Sequence, residues 1–484
     1  MSDLKKTVMT NWRWVMCAML FFATTVNYMD RQVLSLTFKE FIQPEFHWTD
    51  SDYGTITGVF SIAYAIFCLF AGKFIDWMGT KKGYLWAIVI WSLGAVMHAG
   101  CGIATTWFVD GVDSVAAMRA VEAGSALASS VAMVSVWLFL ACRMILGLGE
   151  AGNFPAAIKV TAEYFPKKDR AFATSIFNAG ASVGALAAPA TIPLLAKAWG
   201  WEWAFIIIGA LGFVWAGIWI FVYDKPTESK HVNEAELAYI NSDEVQGDNV
   251  QSTKEEKQMS FLEAFKHKQT WSFAFGKFMT DGVWWFFLFW APAYFQDQFQ
   301  IKASDPQGVA LIFTLYAIVT VVSLFGGYLP KIFVEKKGME PYAGRMLAML
   351  IFAFFPILAL FAQPLGGVYG PWAVAIIIGI VGAAHQSWSA NIFSTTGDMF
   401  PKSAIATITG IGAMAGGLGS FLINKGSGML FTHAEEMGSA FRFMGFEGKP
   451  AGYMIIFCIC AVAYLIGWTV MKSLVPKYSP VVVK

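Results

Sequence analysis

Charged residues are scarce in this 484-residue chain: only 14% of its positions are Asp, Glu, Lys or Arg, whereas 57% are hydrophobic. An average soluble protein carries roughly 25% charged residues. A chain with so few charges and so many apolar side chains is neither disordered nor an ordinary soluble enzyme. Its 34 basic and 33 acidic residues leave a net charge of +1, so no global field attracts polyanions and we expect no nucleic-acid partner.

Cysteine and catalytic motifs are also sparse. None of the six cysteines forms a C-x-x-C pair, and we interpret them as small buried hydrophobes. The six histidines are scattered, and no H-E-x-x-H zinc motif is present. A polytopic membrane enzyme would need a metal or nucleophile constellation. We therefore expect no enzyme activity, no catalytic residues, no metal and no cofactor.

Apolar stretches long enough to cross a bilayer recur along the chain. A helical span needs about 20 apolar residues. The stretches that qualify are 14–38, 54–75, 83–104, 131–158, 171–195, 203–223, 271–295, 308–330, 343–362, 371–397, 404–424 and 452–473. The sequence therefore predicts an all-α polytopic membrane protein with twelve transmembrane helices, and its lipid-facing surface makes the bilayer its main partner.

Two polar segments divide this pattern. Segment 224–268, rich in Glu, Lys, Asn and Gln, predicts a central cytoplasmic linker between an N-terminal half, 1–223, and a C-terminal half, 269–484. Segment 105–130 is an insertion in the first half, either an extra loop or a helix on the surface. Lys and Arg concentrate in alternate loops, and this bias predicts that both termini are cytoplasmic.

The two halves also echo each other in sequence. Glu-Tyr-Phe-Pro-Lys at 163–167, after the fourth span, has a counterpart in Asp-Met-Phe-Pro-Lys at 398–402, after the tenth. A helix rich in small residues follows each copy. Parallel repeats of six helices are an architecture of secondary transporters. The echo therefore predicts two six-helix halves and a transport function.

The loop after the second span carries a specific motif. Residues 72–82 read GKFIDWMGTKK, which matches the G-x-x-x-D-x-x-G-x-[RK]-[RK] loop of the major facilitator superfamily. We predict a conformational latch here, in which Gly72 permits close helix contact and Gly79 allows a tight turn. Asp76 can cap a helix or pair with a cation across the seam between the halves. Lys81 and Lys82 hold the loop inside. The alternative is a generic positively charged turn.

A few charges fall inside the apolar spans. A charge at mid-bilayer costs about 3 kcal/mol, so each of these residues needs a partner or a purpose. They are Asp30, Arg31, Arg143, Glu150, Lys277 and Asp281, together with the titratable His385. A structural role in ion pairs is one interpretation of all six charges, and Lys277 and Asp281 have the i, i+4 spacing of a local pair.

The functional interpretation is capture of an anion. Asp30 and Arg31 are adjacent and point about 100° apart, so each needs a partner from another helix. A guanidinium in a dry cavity binds a carboxylate with two hydrogen bonds. Carboxylates in the same cavity can take up protons near neutral pH. The pattern predicts symport of an organic anion with H⁺.

Longer signatures around these charges resemble one family. Asn-Tyr-Met-Asp-Arg at 27–31 resembles the span-one signature of the anion:cation symporter family, and the run at 143–155 looks like its span-four signature. The runs at 277–286 and 384–393 are similar to the hexuronate-transporter branch, the bacterial carriers of glucuronate and galacturonate. The match covers nearly the whole chain except 105–130 and parts of the linker.

The resemblance implies roles for individual residues. Arg31 would bind the substrate carboxylate, and Asp30 and Glu150 would be protonation sites, with Arg143 pairing Glu150 until a proton arrives. The other implied substrate contacts are Tyr64, Lys277, Ser387, Trp388 and Asn391. Two departures are Gly282, where the branch usually has Pro, and the Asn178–Ala181 region, where aldonate-transporting relatives place a binding Gln.

We therefore expect a monomeric, proton-coupled hexuronate importer of the bacterial inner membrane. Carriers of other organic anions, such as aldonates or aldarates, remain an alternative. Another is an organophosphate/phosphate exchanger, which would use Arg31 and Lys277 as paired cations. Asp281 beside Lys277 argues against the exchanger.

Overall fold

The computed structural model describes residues 9–242, 259–326 and 328–481, which form an almost entirely helical protein. We number its long helices in chain order. They are α1 Trp12–Thr37, α2 Asp50–Met78, α3 Thr80–His98, α4 Ala126–Glu150, α5 Lys167–Trp199, α6 Trp201–Val222, α7 Lys268–Phe299, α8 Pro306–Gly326, α9 Pro341–Phe354, α10 Pro371–Met399, α11 Lys402–Met437 and α12 Lys449–Leu474. These twelve helices correspond in order to the twelve predicted spans.

Short elements connect the long helices. The helical ones are Phe38–Ile42, Gln43–Phe46, Cys101–Phe108, Val115–Arg119, Asn153–Tyr164, Glu234–Ile240, Phe261–Ala264, Tyr328–Lys337, Phe355–Leu358, Ala359–Tyr369 and Gly438–Ala440. The two-residue strands β1, Arg442–Phe443, and β2, Phe446–Glu447, pair antiparallel with Arg442 opposite Glu447. This hairpin precedes α12 and leaves the fold class all-α.

Within the described residues, nine helical segments are long and apolar enough to cross a membrane, or ten if the bent pair Thr80–His98 and Cys101–Phe108 is one span. The remaining long helices, α1 and α7, contain four of the six interior charges, Asp30 and Arg31 on α1 and Lys277 and Asp281 on α7. These charged residues lower the mean hydropathy, while the lengths of 26 and 32 residues still suffice to span a bilayer.

The insertion predicted at 105–130 is partly helical. Cys101–Phe108 turns by 62° from the axis of α3, and the short helix Val115–Arg119 follows, with the Ser114 side chain accepting a hydrogen bond from the N–H of Ala117. α4 then begins at Ala126, inside the predicted insertion. Arg119 ties the segment to the helices by pairing with Glu45 at 2.8 Å and Glu202 at 3.2 Å.

The first part of the predicted linker docks on the start of α1. The Glu236 carboxylate accepts hydrogen bonds from the N–H groups of Trp12 and Arg13, at 2.9 and 3.0 Å, and from the Thr10 hydroxyl. Burial alone would raise the pKa of Glu236, but these hydrogen bonds outweigh it and hold the pKa below its ordinary value. Residues 243–258 of the predicted linker lie outside the described residues.

Glycines bring several helix backbones into direct contact. A Cβ on Gly184 of α5 would lie 2.4 Å from the carbonyl oxygen of Thr25 in α1, and one on Gly54 of α2 would lie 2.6 Å from that of Asn424 in α11. Small residues at such crossings are how membrane helices pack closely without a hydrophobic driving force between them. The α2–α11 crossing joins the first six helices to the last six, as do contacts of α5 with α8 and of α1 with α7.

The α3–α4 crossing gives a test of this packing. In Gly94→Ala, the new Cβ would stand 2.5 Å from the backbone nitrogen of Leu146, so α3 and α4 must separate. We expect a loss of about 1–3 kcal/mol, the usual cost of overpacking, measured as a lower thermal unfolding temperature of the detergent-solubilised protein. Gly217→Ala on α6 is the control, because no atom lies within 4 Å of its Cβ. Equal unfolding temperatures of the two variants would contradict the packing.

Candidate functional site

A buried ion pair between α1 and α4 lies at the centre of the candidate site. Arg31 Nη2 and Nε are 2.8 and 3.1 Å from Glu150 Oε2. Glu150 is fully buried and Arg31 is 5% exposed. The second carboxylate oxygen, Oε1, accepts no hydrogen bond from the described residues. Glu150 thus neutralises Arg31 while keeping one oxygen unused.

This pairing differs from one sequence expectation. The family resemblance implies that Arg143 pairs Glu150 until a proton arrives. The structure instead gives Glu150 to Arg31, and the Arg143 guanidinium lies 5.3 Å above the ring of Phe60. Its Nη1 has no hydrogen-bond partner among the described residues. A resemblance in sequence does not give the distances between α1 and α4, which decide the partner of Glu150.

Asp30 is the second buried carboxylate of the site. It is 2% exposed, and no described residue donates a well-formed hydrogen bond to either of its oxygens. A carboxylate in that position is costly in its charged form, and a bound proton removes the cost. The environment of Asp30 therefore fits a side chain that carries a proton.

Aromatic rings enclose the Arg31 guanidinium. Its Cζ lies 4.6 Å from the ring centre of Tyr64 on α2, 5.3 Å from that of Tyr28 and 5.3 Å from that of Trp285 on α7. Each ring attracts the cation through its π face. Trp285 comes from the last six helices, so the site is built across the seam. Tyr64 was predicted; Tyr28 and Trp285 were not, although both stand inside the quoted signatures.

A second ion pair lies on α7. Lys277 Nζ is 2.8 Å from Asp281 Oδ2, and both side chains are largely buried. The Lys277 ammonium also lies 4.4 Å from the ring centre of Phe393 on α10. Asp281 rests against Gly416 of α11, where a Cβ would come within 2.2 Å of Oδ2. The local i, i+4 pair that the sequence allowed is therefore formed.

The predicted residues of α10 lie inside the last six helices. Ser387 donates a hydrogen bond to the carbonyl of Ala383 at 2.9 Å and fills the space beside Gly326 of α8. The Asn391 amide donates to the carbonyl of Ser387 at 2.8 Å. None of the described contacts joins Ser387 or Asn391 to Arg31. Their roles as substrate ligands stay predictions.

Two further residues of α10 pack on α12. Trp388 is fully buried, with its ring edge-to-face with that of Tyr464 at 5.5 Å. His385 Nδ1 is 2.7 Å from the Tyr464 hydroxyl, and its ring stacks on Trp284 at 5.4 Å. His385 is thus a hydrogen-bonded interior histidine. The role of Trp388 as a sugar-facing wall remains a prediction.

The latch loop differs in part from its prediction. Gly79, with φ +78°, separates α2 from α3 and makes the expected tight turn. Asp76 does not pair across the seam, because its partner at 2.7 Å is Lys159, which belongs to the first six helices. Gly72 makes no close helix contact either, since a Cβ there would meet no atom within 4 Å.

The two lysines of the motif have different surroundings in the structure. Lys81 pairs with Asp224 at 2.8 Å, at the start of the linker. Lys82 is exposed. As the loop stands, it is held within the first six helices and leaves the last six free of it.

Four charges close the seam at one end of the bundle. Lys39 is 3.1 Å from Asp50 and 3.0 Å from Asp297, while Lys449 is 2.9 Å from Asp297 and also contacts Asp50. Asp50 is fully buried and the other three side chains are 10–12% exposed. We call these residues the four-charge ring; it alternates in sign and takes two members from each set of six helices. Sequence reasoning missed it because its members are far apart in the chain.

The remaining polar contacts across the seam lie at the same end. Tyr53 donates to the carbonyl of Phe289 at 2.7 Å, and Ser304 donates to Glu40 at 2.7 Å. Among the described residues, the hydrogen bonds and ion pairs that join α1–α6 to α7–α12 all involve 39–55 or Lys197 on the first side. The polar contacts found between the described residues thus join the two halves at this end of the bundle.

One short run of the sequence matches a serine-hydrolase motif but serves helix packing in the structure. Residues 180–184 read GASVG, which matches G-x-S-x-G. That motif needs a sharp turn from a strand into a helix, whereas this run lies in the middle of α5. Its glycines face the carbonyls of Phe21 and Thr25 and serve the packing of α1 on α5. The run carries no nucleophile elbow.

Comparison with known proteins gives the same assignment as the fold and the motifs. The chain is 27% identical to the hexuronate transporter of Escherichia coli (strain K12) over 466 residues, 95% of this chain and 94% of the relative. It is 27% identical to the galacturonate transporter of Dickeya chrysanthemi over 73% of this chain and 92% of the relative. These names agree with the resemblance found in the signatures.

A solved structure supports the fold. The crystal structure of a bacterial homolog of the human lysosomal transporter Spinster, in an inward-facing and unoccupied conformation, aligns with a TM-score of 0.69 at 16% identity. The alignment covers 97% of this chain and 99% of the other. The predicted fold class is confirmed, and relatives that are transporters confirm that the protein is not an enzyme. Residues 20–423 match the Major Facilitator Superfamily, and the chain belongs to that superfamily.

Proposed function

We propose that this protein imports hexuronates, glucuronate or galacturonate, by proton symport across the bacterial inner membrane. The observation that carries the proposal is the buried Arg31–Glu150 pair inside a cage of aromatic rings. The names of the hexuronate and galacturonate relatives support the substrate class. We propose further that the protein acts as a monomer, with both termini in the cytoplasm.

Coupling follows from the need of a buried cation for a counter-ion. Breaking a buried pair by removing one partner costs about 3–5 kcal/mol, because the other charge is left uncompensated. When a proton neutralises Glu150, Arg31 needs another anion, and the substrate carboxylate supplies it. When the proton leaves, Glu150 takes Arg31 back and expels the substrate. Proton and anion therefore travel together.

The remaining groups have supporting roles in this scheme. Asp30, buried without a hydrogen-bond partner, provides a second protonation site. Arg143, held on Phe60, keeps positive charge near both carboxylates. The rings of Tyr64 and Trp285 offer apolar faces to the C–H surface of a sugar ring, and they come from opposite sides of the seam.

Alternating access follows from the one-sided closure of the bundle. The loops at the tied end are poor in Lys and Arg, so we assign this end to the outside. The four-charge ring then seals the outer entrance, and the conformation described here is closed on the outer side. Rocking of the two six-helix halves about the central site would break the ring and open the outer side.

The first test is uptake by proteoliposomes. Wild-type protein should accumulate labelled glucuronate or galacturonate when an inward pH gradient is imposed, and a Na⁺ gradient alone should not drive uptake. Arg31→Ala should abolish uptake, because the site then lacks the cation that binds the carboxylate. Arg442→Ala is the matched control, since Arg442 forms an exposed ion pair with Glu447. Equal rates in the two variants would refute the role of Arg31.

The second test separates coupling from binding. Glu150→Gln retains the shape of the side chain but cannot release Arg31 in response to a proton. We expect loss of accumulation driven by a pH gradient, with exchange of internal for external substrate retained. Glu447→Gln, at the exposed pair, should behave like wild type. Normal proton-driven accumulation by Glu150→Gln would exclude Glu150 as a coupling site.

The third test concerns the outer gate. Lys449→Gln leaves both ring carboxylates short of a cation, so the closed state should lose stability relative to the open one. The readout is labelling of a Thr55→Cys variant by a membrane-impermeant maleimide in intact cells, because Thr55 lies half-buried at the seam beside Lys425. We expect labelling to rise several-fold.

The control for that test is Lys302→Gln, which removes an exposed lysine of the same end of the bundle. Protein without the Thr55→Cys change corrects for labelling of native cysteines. Unchanged labelling in Lys449→Gln would show that the ring does not hold the gate.

A further inference from the structure

Two of the buried cations of the candidate site are paired with carboxylates, and they are paired in different ways. Arg31 is paired by Glu150, which belongs to a different helix. Lys277 is paired by Asp281, which lies one turn further along the same helix, α7. The first pair can separate when α1 and α4 shift or a proton binds. The second pair lies within one helix, so a rigid movement of α7 leaves it intact.

Both pairs face the same region of the protein. Residues 277, 281 and 285 are spaced by four and lie along one face of α7. The Lys277 ammonium bends toward Asp281, so it lies about 6 Å along the helix axis from the level of Trp285, the rise of four residues. Trp285 in turn stands 5.3 Å from the Arg31 guanidinium. A second anionic group of a substrate held at Arg31 would thus approach Lys277.

The surroundings of Asp281 are shaped for a side chain of its size. Gly416 of α11 leaves the space that the Asp281 carboxylate occupies, since a Cβ there would be 2.2 Å from Oδ2. The neighbouring Gly417 packs on Ala65 of α2, with 2.4 Å between a Cβ built there and the Ala65 Cβ. Asp281 therefore sits beside the crossing of α2 and α11, where the two sets of six helices meet.

We propose that Asp281 determines the charge class of the substrate. By neutralising Lys277, it leaves α7 without a cation for a second anionic group, and the site accepts sugar acids with a single carboxylate that binds Arg31. Without the Asp281 charge, Lys277 would be buried and uncompensated, and the second carboxylate of a sugar dicarboxylate would stabilise it. This inference rests on the proposed function and specifies which anions that site takes.

Asp281→Asn tests the proposal, because asparagine matches the shape of aspartate and removes only its charge. Proteoliposomes take up labelled glucuronate in the presence of unlabelled glucuronate or unlabelled glucarate, a six-carbon sugar dicarboxylate. The measured quantity is the ratio of the two inhibition constants. We expect wild type to prefer glucuronate, and Asp281→Asn to shift the ratio at least tenfold toward glucarate.

A double variant separates charge selection from a structural role. Lys277→Gln/Asp281→Asn lacks the freed cation and should lose the gain toward glucarate. If Asp281→Asn does not transport, the ratio is measured on purified protein as the ligand-induced rise in unfolding temperature. A merely structural Asp281 would weaken the response to both ligands equally.

The outcomes distinguish this proposal from the proposed function. If wild type takes up no hexuronate, the proposed function fails. If wild type transports glucuronate and the ratio in Asp281→Asn equals that of wild type, the charge-selection proposal is overturned and the proposed function stands. A wild type that prefers glucarate would overturn it as well. If the ratio of inhibition constants shifts in Asp281→Asn and returns to the wild-type value in the double variant, the charge-selection proposal is established.

Discussion

The neutralisation of a buried cation by a replaceable anion is the interaction on which the rest of this protein depends. Arg31 is kept in a dry site by Glu150, which uses a single oxygen for the purpose. In water such a pair would contribute little, whereas in the interior an unpaired partner costs several kcal/mol. The proposed coupling uses the same physics, because a proton on Glu150 would leave Arg31 in need of an anionic substrate.

Close helix packing surrounds the Arg31–Glu150 pair. Glycines at the crossings of α1 with α5 and of α2 with α11 allow backbone contact, which brings helices of both halves close around the site. Trp285 reaches Arg31 from α7, while the four-charge ring joins the halves at one end. A ring of alternating charges is stable when all members are present and weak once the halves separate, which suits an entrance that must open and close.

The interior charges divide by how firmly they are neutralised. Glu150 has its partner on another helix, and Asp30 accepts no well-formed hydrogen bond from the described residues, so these two are the proposed protonation sites. Lys277 and Asp281 are joined within one helix. This division gives a physical basis for a carrier that couples to protons at one pair and selects substrate charge at the other.

The amino-acid sequence by itself determined the membrane-spanning character, the twelve helices and the superfamily, and it singled out the candidate site residues, because apolar runs and costly interior charges are visible in a single chain. It also determined the i, i+4 pair of α7 and the tight turn at Gly79. Only the tertiary structure decided that Arg31, rather than Arg143, holds Glu150, that Asp76 pairs with Lys159, and that Lys39, Asp50, Asp297 and Lys449 form a ring. Partners between helices depend on distances of a few ångströms across the bundle, and no spacing along the chain encodes them.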